Sequence, residues 1–293
     1  MGFIISGRRL GRAIISLALV TYLLACQTGT EAQTEGSTSA LTAKNGDVEP
    51  VVINGSPVVS RSQQGFAHLA RIVYQTFPGS YSQCTGSLIS TRFVVTAGHC
   101  LSAGFLVLFR YKYTKHTVTL GDLVDSKTGE TNEVTISGKG IPYPLYPAGI
   151  GANDPTDIGL IFLNSEVTLN ADIQPINLPP SDYTVPIDST CTVAGWGVSE
   201  EGGSTPSDTL LFGYVKLADS TACGAKKDSK QMCFNRGTTN QNSCSGDSGG
   251  PITYNNYLIA TVSFGRADCT SAAGAIRVSA YVDWINSVTK LLG

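Results

Sequence analysis

Residues 245–251 read Ser-Gly-Asp-Ser-Gly-Gly-Pro. Alone, this heptapeptide is typical of a glycine-rich turn. Two upstream segments make it more informative: residues 96–100 read Thr-Ala-Gly-His-Cys, and residues 157–163 read Asp-Ile-Gly-Leu-Ile-Phe-Leu. The three segments supply an imidazole, a carboxylate and a hydroxyl, on His99, Asp157 and Ser248.

Each of the two upstream residues also has an ordinary structural interpretation. His99 follows the apolar run Phe93–Val95 and so lies where a predicted strand ends, as a loop or core histidine does. Asp157 precedes an apolar run and resembles a turn residue that starts a buried strand. The combination of the three residues favours a catalytic role, because a serine hydroxyl becomes an effective nucleophile when a base lies within about 2.6–3.2 Å. Histidine suits that task, since its unperturbed pKa is about 6.5.

The order of His99, Asp157 and Ser248 resembles that of the chymotrypsin-like serine peptidases of the trypsin superfamily. The resemblance covers essentially all of Val52–Gly293 and includes three further segments: Ala-Gly-Trp-Gly at 194–197, Ser-Phe-Gly at 263–265 and Tyr-Val-Asp-Trp-Ile at 281–285. It implies an all-β fold of two six-stranded antiparallel β-barrels with a C-terminal helix. It also implies an endopeptidase that cleaves polypeptides through an acyl-enzyme.

The same resemblance assigns roles to the site residues. His99 would take the proton of Ser248 and pass it to the leaving amine, while Asp157 would hold the histidine tautomer and stabilise the imidazolium. Ser263 resembles the serine that supports this aspartate. The backbone N–H groups of Gly246 and Ser248 would form the oxyanion hole. Glycine fits there because it adopts a positive φ and lets substrate approach.

Three residues resemble the primary specificity pocket of the family. Asn242 lies six residues before Ser248, at the floor position, where trypsin-like enzymes carry an aspartate. Without that carboxylate a buried Arg or Lys of the substrate would stay unpaired, at a cost of several kcal/mol. Gly265 and Gly274 resemble the wall positions and leave the pocket open. We therefore expect cleavage after large uncharged residues, aromatic or Leu and also Met or Gln, rather than after Arg or Lys.

Residues 52–55 read Val-Ile-Asn-Gly and resemble the mature N-terminus of the family. In the family, the freed α-amino group pairs with the aspartate before the nucleophile, here Asp247, so the resemblance implies a zymogen. An edge strand is the alternative interpretation of this segment. Val51 and Pro50 are not basic, so an unidentified activating peptidase without trypsin-like specificity would cut before Val52, or one residue earlier.

The N-terminal region predicts export. Arg8, Arg9 and Arg12 flank the 13-residue apolar run Ala13–Ala25, shorter than the about 20 residues of a membrane span, so residues 1–25 read as a signal peptide. The run ends in Leu-Leu-Ala-Cys, which resembles the bacterial lipobox; Cys26 would then be lipidated and attach the protein to a membrane. An ordinary signal peptide followed by a chance cysteine is the alternative. Residues 26–51 hold too few apolar side chains to fold and predict a disordered tether or propeptide before the peptidase domain at 52–293.

Eight cysteines favour an oxidising compartment. The resemblance pairs six of them: Cys84 with Cys100, Cys223 with Cys233, and Cys244 with Cys269. Cys191 lacks its usual partner, since Tyr254 occupies that position, and is expected to be a small buried thiol. A bond to Cys26 is the alternative, which lipidation would exclude.

Composition excludes several other classes of function. The 293 residues carry a formal net charge of −2, so nothing favours nucleic acid as a partner.

The acidic residues of the Gly121–Gly140 stretch fit a solvated loop better than a calcium site, and we expect no metal or cofactor. We expect a monomer, exported to the bacterial cell envelope as a lipoprotein or secreted after processing. Two alternatives remain: a non-catalytic homologue that acts as a binding protein, and a zymogen that is never cut.

Overall fold

The computed structural model describes residues 52–77, 79–106, 109–112, 115–125, 130–147, 153–225 and 230–293. The predicted signal peptide at 1–25, the tether at 26–51 and the lipidation site Cys26 lie outside these residues, as does the alternative cleavage point before Val51. No helix of the described part is long and apolar enough to span a membrane.

The described residues form fifteen strands and one α-helix. The strands are β1 (Ser56–Pro57), β2 (Leu69–Phe77), β3 (Ser80–Ser90), β4 (Phe93–Thr96), β5 (Ser102–Leu106), β6 (Phe109–Lys112), β7 (His116–Leu120), β8 (Val134–Pro142), β9 (Gly159–Leu163), β10 (Thr190–Gly195), β11 (Leu211–Ala218), β12 (Gln231–Arg236), β13 (Pro251–Tyr254), β14 (Tyr257–Phe264) and β15 (Ala273–Arg277). The helix α1 (Val282–Leu292) follows a 3-10 turn at Val278–Tyr281.

Two antiparallel barrels contain most of these strands. The first closes in the order β2-β3-β4-β9-β8-β7. The second runs β11-β10-β13-β14-β15-β12 and closes through the pairing of β12 with β11, while β1 adds to β11 from outside. The six strands of each barrel close on themselves, and each barrel encloses its own cluster of buried apolar side chains, while β5 and β6 pair with each other in a separate two-stranded sheet. The predicted fold of two six-stranded barrels with a C-terminal helix is confirmed.

A third apolar cluster joins the barrels to α1. Val282 and Ile285 of the helix pack with Phe93 and Leu160 of the first barrel and with Ile276 of the second. Val282 and Ile285 are spaced so that they lie on one face of α1; the helix buries this face and leaves the opposite face in solvent. The helix therefore covers the junction between the barrels.

The described residues contain three disulfides: Cys84–Cys100 and Cys223–Cys233 each tie a loop or turn to a barrel strand, and Cys244–Cys269 joins two loops. These are the pairs that the resemblance implied, and bonds of this kind stabilise a fold by about 2–4 kcal/mol each. Cys191 is buried near the Ser189 carbonyl and forms no disulfide with any described cysteine. Burial raises the pKa of Cys191 to about 12, so this side chain stays a neutral thiol.

Candidate active site

His99 lies on a one-turn 3-10 helix, Gly98–Cys100, directly after β4. The disulfide from Cys100 to Cys84 ties this turn to β3. Gly98 packs closely, because a Cβ at that position would lie 3.0 Å from the Tyr146 ring and 3.2 Å from Asp157 Oδ1. The turn thus brings the backbone of the histidine segment against the carboxylate of Asp157.

Asp157 binds His99 at two points. The His99 backbone N–H donates to Asp157 Oδ1 at 2.7 Å, and His99 Nδ1 lies 2.8 Å from Asp157 Oδ2. The Ser263 hydroxyl donates to the same Oδ2 at 2.5 Å. The Asp157 side chain is fully buried, whereas His99 is 21% exposed. A buried carboxylate that accepts the Nδ1 proton fixes the tautomer and leaves Nε2 as the basic nitrogen.

The loop that carries Ser248 leaves the second barrel and docks on the first. The Ser248 carbonyl accepts a hydrogen bond from the Thr85 N–H at 2.9 Å, and Cys100 Sγ lies 3.7 Å from the same oxygen. Gly249 makes the docking possible: it has φ +76°, and a Cβ there would lie 2.0 Å from Thr96 Oγ1. The loop therefore places the Ser248 peptide beside the residue that follows His99.

Two backbone donors of this loop point to no protein acceptor. Within the part of the chain that the structure describes, the N–H groups of Gly246 and Ser248 make no hydrogen bond. Gly246 has φ +101°, and its carbonyl accepts from the Thr85 hydroxyl at 3.1 Å. Backbone amides that are partly exposed and have no protein acceptor are suited to bind a developing oxyanion.

Asp247, between these two residues, is fully buried. Its Oδ1 accepts the Gly197 N–H and its Oδ2 accepts the Cys244 N–H, both at 2.9 Å. Burial raises the pKa of Asp247 to about 6, while the two backbone hydrogen bonds act in the opposite direction. A Cβ at Gly195 or Gly197 would lie 2.2–2.6 Å from this carboxylate. The glycines of the 194–197 segment therefore make room for Asp247, and no cation among the described residues pairs with it.

Val52 and Ile53 are buried against the second barrel. The Ile53 N–H donates to the Asn242 carbonyl at 3.0 Å, which fixes this segment beside the loop before Ser248. Val52 has φ +57°, an unfavourable backbone conformation for a β-branched residue. The segment predicted to be the mature N-terminus thus lies in the second barrel.

A cavity of about 120 Å³ opens beside Ser248. Its lining includes Ser243, Val262, Gly265 and Ala273. Sequence reasoning named Gly265 but missed Ser243 and Ala273, although both are neighbours of residues it did name. The structure brings this cavity, the Asp157–His99 pair and the Ser248 loop together.

The other two pocket residues lie behind the cavity lining. Asn242 is buried, and its Nδ2 donates to the carbonyls of Cys269 and Ser271 at 2.8 and 2.7 Å. Its Oδ1 has no partner among the described residues. A Cβ at Gly274 would lie 2.1–2.4 Å from the ring of Phe264, which itself lines the cavity. This ring fills the space that glycine at 274 was expected to leave open, and Ala273 lines the cavity.

The acidic residues of the 121–140 stretch bind protein donors. Arg71 pairs with Asp122 at 2.8 Å and with Asp125 at 2.7 Å. Glu130 accepts the Leu123 N–H at 2.6 Å. Burial raises the pKa of Asp122, which the contact with Arg71 opposes.

Comparison with known proteins gives one consistent result. The family described as Trypsin matches residues 52–285. Duodenase-1 of Bos taurus is 32% identical over 228 residues, covering 76% of this chain and 84% of its own. Chymase of Canis lupus familiaris is 32% identical over 82% of this chain and 90% of its own. Chymotrypsin of Phaedon cochleariae is 30% identical over 84% of this chain and 88% of its own.

A solved structure titled "Structure of GrC" aligns with a TM-score of 0.68 at 26% identity, over 82% of this chain and all of its own. The named relatives are animal proteins, so the bacterial origin and the lipid attachment stay predictions that rest on the N-terminal sequence.

Proposed function

The chain belongs to the trypsin family and is a serine endopeptidase, and we propose that His99, Asp157 and Ser248 are its catalytic triad. The supporting observation is the hydrogen-bonded row from the Ser263 hydroxyl through Asp157 to His99 Nδ1, next to the docked Ser248 loop. Its polypeptide substrates follow from the family.

In the proposed mechanism, His99 removes the proton of the Ser248 hydroxyl as the oxygen attacks the scissile carbonyl. The developing oxyanion accepts hydrogen bonds from the Gly246 and Ser248 N–H groups; one such donor contributes on the order of 10²–10³ in rate. His99 then protonates the leaving amine, and water hydrolyses the acyl-enzyme by the same route. Asp157 stabilises the imidazolium throughout.

We propose that the cavity beside Ser248 accepts large uncharged side chains, aromatic or Leu, before the scissile bond. Among the described residues no acidic side chain lines the cavity. Arg266 lines it, and its charge is paired with Asp268 at 2.9 Å. A substrate Arg or Lys would therefore find no carboxylate in the cavity wall. Asn242 supports the same preference, because it carries an amide where a trypsin-like enzyme carries Asp.

We propose further that the protein is a zymogen activated by cleavage before Val52. Asp247 is a buried carboxylate with no cation beside it in the described part of the chain, and it lies on the loop that carries the oxyanion donors. A free α-amino group on Val52 would supply the counter-charge. Cleavage would also release Val52 from its unfavourable backbone conformation. N-terminal sequencing of active protein tests the proposal, and a start far from Val51 or Val52 contradicts it.

We propose residues 1–25 as an export signal, 26–51 as a tether and 52–293 as the peptidase domain; the family match that begins at residue 52 supports the last boundary. The three disulfides fit an extracellular protein. If Cys26 is lipidated, the protein should incorporate labelled palmitate in growing cells, and Cys26→Ser should abolish this incorporation. Retention of the label in that variant would exclude Cys26 as the site.

The triad is tested by labelling with a fluorophosphonate probe. Ser248→Ala is expected to abolish both labelling and peptide hydrolysis without lowering the melting temperature by more than a few degrees. Ser245→Ala, three residues away in the same loop, is the matched control and should still be labelled. Full labelling of the Ser248→Ala protein would refute the assignment.

A further inference from the structure

A second cavity of about 540 Å³ lies on the second barrel, and it shares no lining residue with the cavity beside Ser248. It is bounded by the segment 179–187 and by β11, β12, β14 and β15. Its volume lies within the range of about 300–1,000 Å³ that is common for small-molecule sites. Peptide hydrolysis at Ser248 gives it no role.

Part of the wall of this second cavity is apolar. Leu217, Met232 and Ile259 form buried parts of its lining, each less than a tenth exposed. Val185 is partly exposed at the same cavity, and Ile187 is 58% exposed. A hydrocarbon group that filled the cavity would cover Val185 and Ile187 and gain hydrophobic free energy.

One cation lines the cavity without a protein partner. Arg277 Nε is buried and has no hydrogen-bond partner among the described residues, and no ion pair of Arg277 occurs there. Five other arginines of the described part donate from their guanidinium groups to protein oxygens: Arg61, Arg71, Arg92, Arg236 and Arg266. The Arg277 guanidinium thus carries a charge with no counter-ion among the described residues, and an anion in the cavity would supply one.

The second charged group of the lining lies at the cavity edge. Asp219 is exposed, and its Oδ1 accepts hydrogen bonds from the Thr221 N–H at 2.9 Å and the Thr221 hydroxyl at 2.7 Å. This carboxylate faces solvent, whereas the Arg277 Nε does not. Ser220 and Ser279 add hydroxyl groups to the lining.

We propose that the second cavity binds a small amphipathic carboxylate. The carboxylate would accept hydrogen bonds from the Arg277 guanidinium, which matches a carboxylate in shape and charge, and the hydrocarbon body would cover Val185 and Ile187. The site is separate from the catalytic one, so occupancy does not require turnover.

The test uses 4-phenylbutyrate as the probe and 4-phenylbutanamide as its neutral analogue. The protein is first treated with phenylmethanesulfonyl fluoride, which occupies the cavity beside a reactive Ser248. The reporter is the ¹³C-labelled methyl group of methionine: the chain has only Met1 and Met232, and Met232→Leu assigns the signal. The acid should shift the Met232 signal saturably, and the amide should bind about tenfold or more weakly. This readout depends on no catalytic residue, so a failure to label Ser248 would leave it interpretable.

Arg277→Leu removes the charge, keeps an apolar side chain and adds no methionine; it should weaken the acid about tenfold or more and leave the amide unchanged. Arg277→Lys keeps the charge without the planar fork and should fall between. Lys216→Leu is the matched control: it removes a cation one residue from Leu217 on the opposite face of β11, and the affinity should stay within about twofold. Equal binding of acid and amide to the wild-type protein, or no saturable shift at Met232, would overturn the proposal.

Discussion

Replacing Gly249 by alanine should disrupt the contact that docks the Ser248 loop on the first barrel. The added Cβ would lie 2.0 Å from Thr96 Oγ1, 2.6 Å from the Ala97 nitrogen and 2.6 Å from the Thr85 carbonyl oxygen. Two of these three atoms belong to the backbone and cannot rotate away. The left-handed conformation at φ +76° adds about 1–2 kcal/mol for alanine, and overpacking adds about 1–3 kcal/mol.

The expected loss in the free energy of unfolding is therefore about 2–5 kcal/mol, measured by urea denaturation at constant m-value. Activity should fall further than stability, since a displacement of about 1 Å near a reacting group costs on the order of 10²-fold in rate. Gly265→Ala is the control: its Cβ would meet Ala273 at 3.9 Å, an ordinary contact, so it should change substrate preference and leave stability within about 0.5 kcal/mol. A Gly249→Ala protein as stable and active as the parent would refute the docking argument.

Three further predictions concern charged and amide groups of the site. Asp157→Asn should lower kcat/KM by about 10⁴-fold in peptide hydrolysis, because the amide presents the wrong partner to His99 Nδ1; a loss under tenfold would contradict the assigned role. In the uncut chain, burial raises the pKa of Asp247 from an unfolded value of 3.8 to about 6, so the native state holds the proton more tightly. The stability from this group is present below pH 4 and is lost as the pH rises to about 6, on the order of 1–3 kcal/mol; urea denaturation of uncut Ser248→Ala with and without Asp247→Asn should show that only the parent has this slope. Asn242→Asp should raise kcat/KM for chromogenic peptides with Arg or Lys before the scissile bond, and a wild-type preference for those residues would contradict the proposed specificity.

Local sequence determined the parts of this protein that depend on backbone geometry. A glycine is needed where the chain takes a positive φ or where two backbones touch, so Gly246, Gly249 and the glycines of the 194–197 segment are visible in the sequence as motifs. The fold class was predictable for the same reason, since these motifs come at the ends of strands whose apolar patterns the sequence also shows. The cysteine pairs followed from the resemblance, which fixes their positions relative to the motifs.

Tertiary structure alone decided which side chains line the cavities. The pairing of β14 with β15 shifts register between Val262 and Phe264, and Gly274 lies opposite Phe264. This irregularity sets the Phe264 ring against Gly274, so the ring fills the space beside that glycine, while Ala273 lines the cavity. Similarly, the solitary position of Arg277 depends on which acidic residues other strands place near it. Strand register and the surroundings of a side chain depend on segments that lie far apart in the sequence, so no short stretch of the chain determines them.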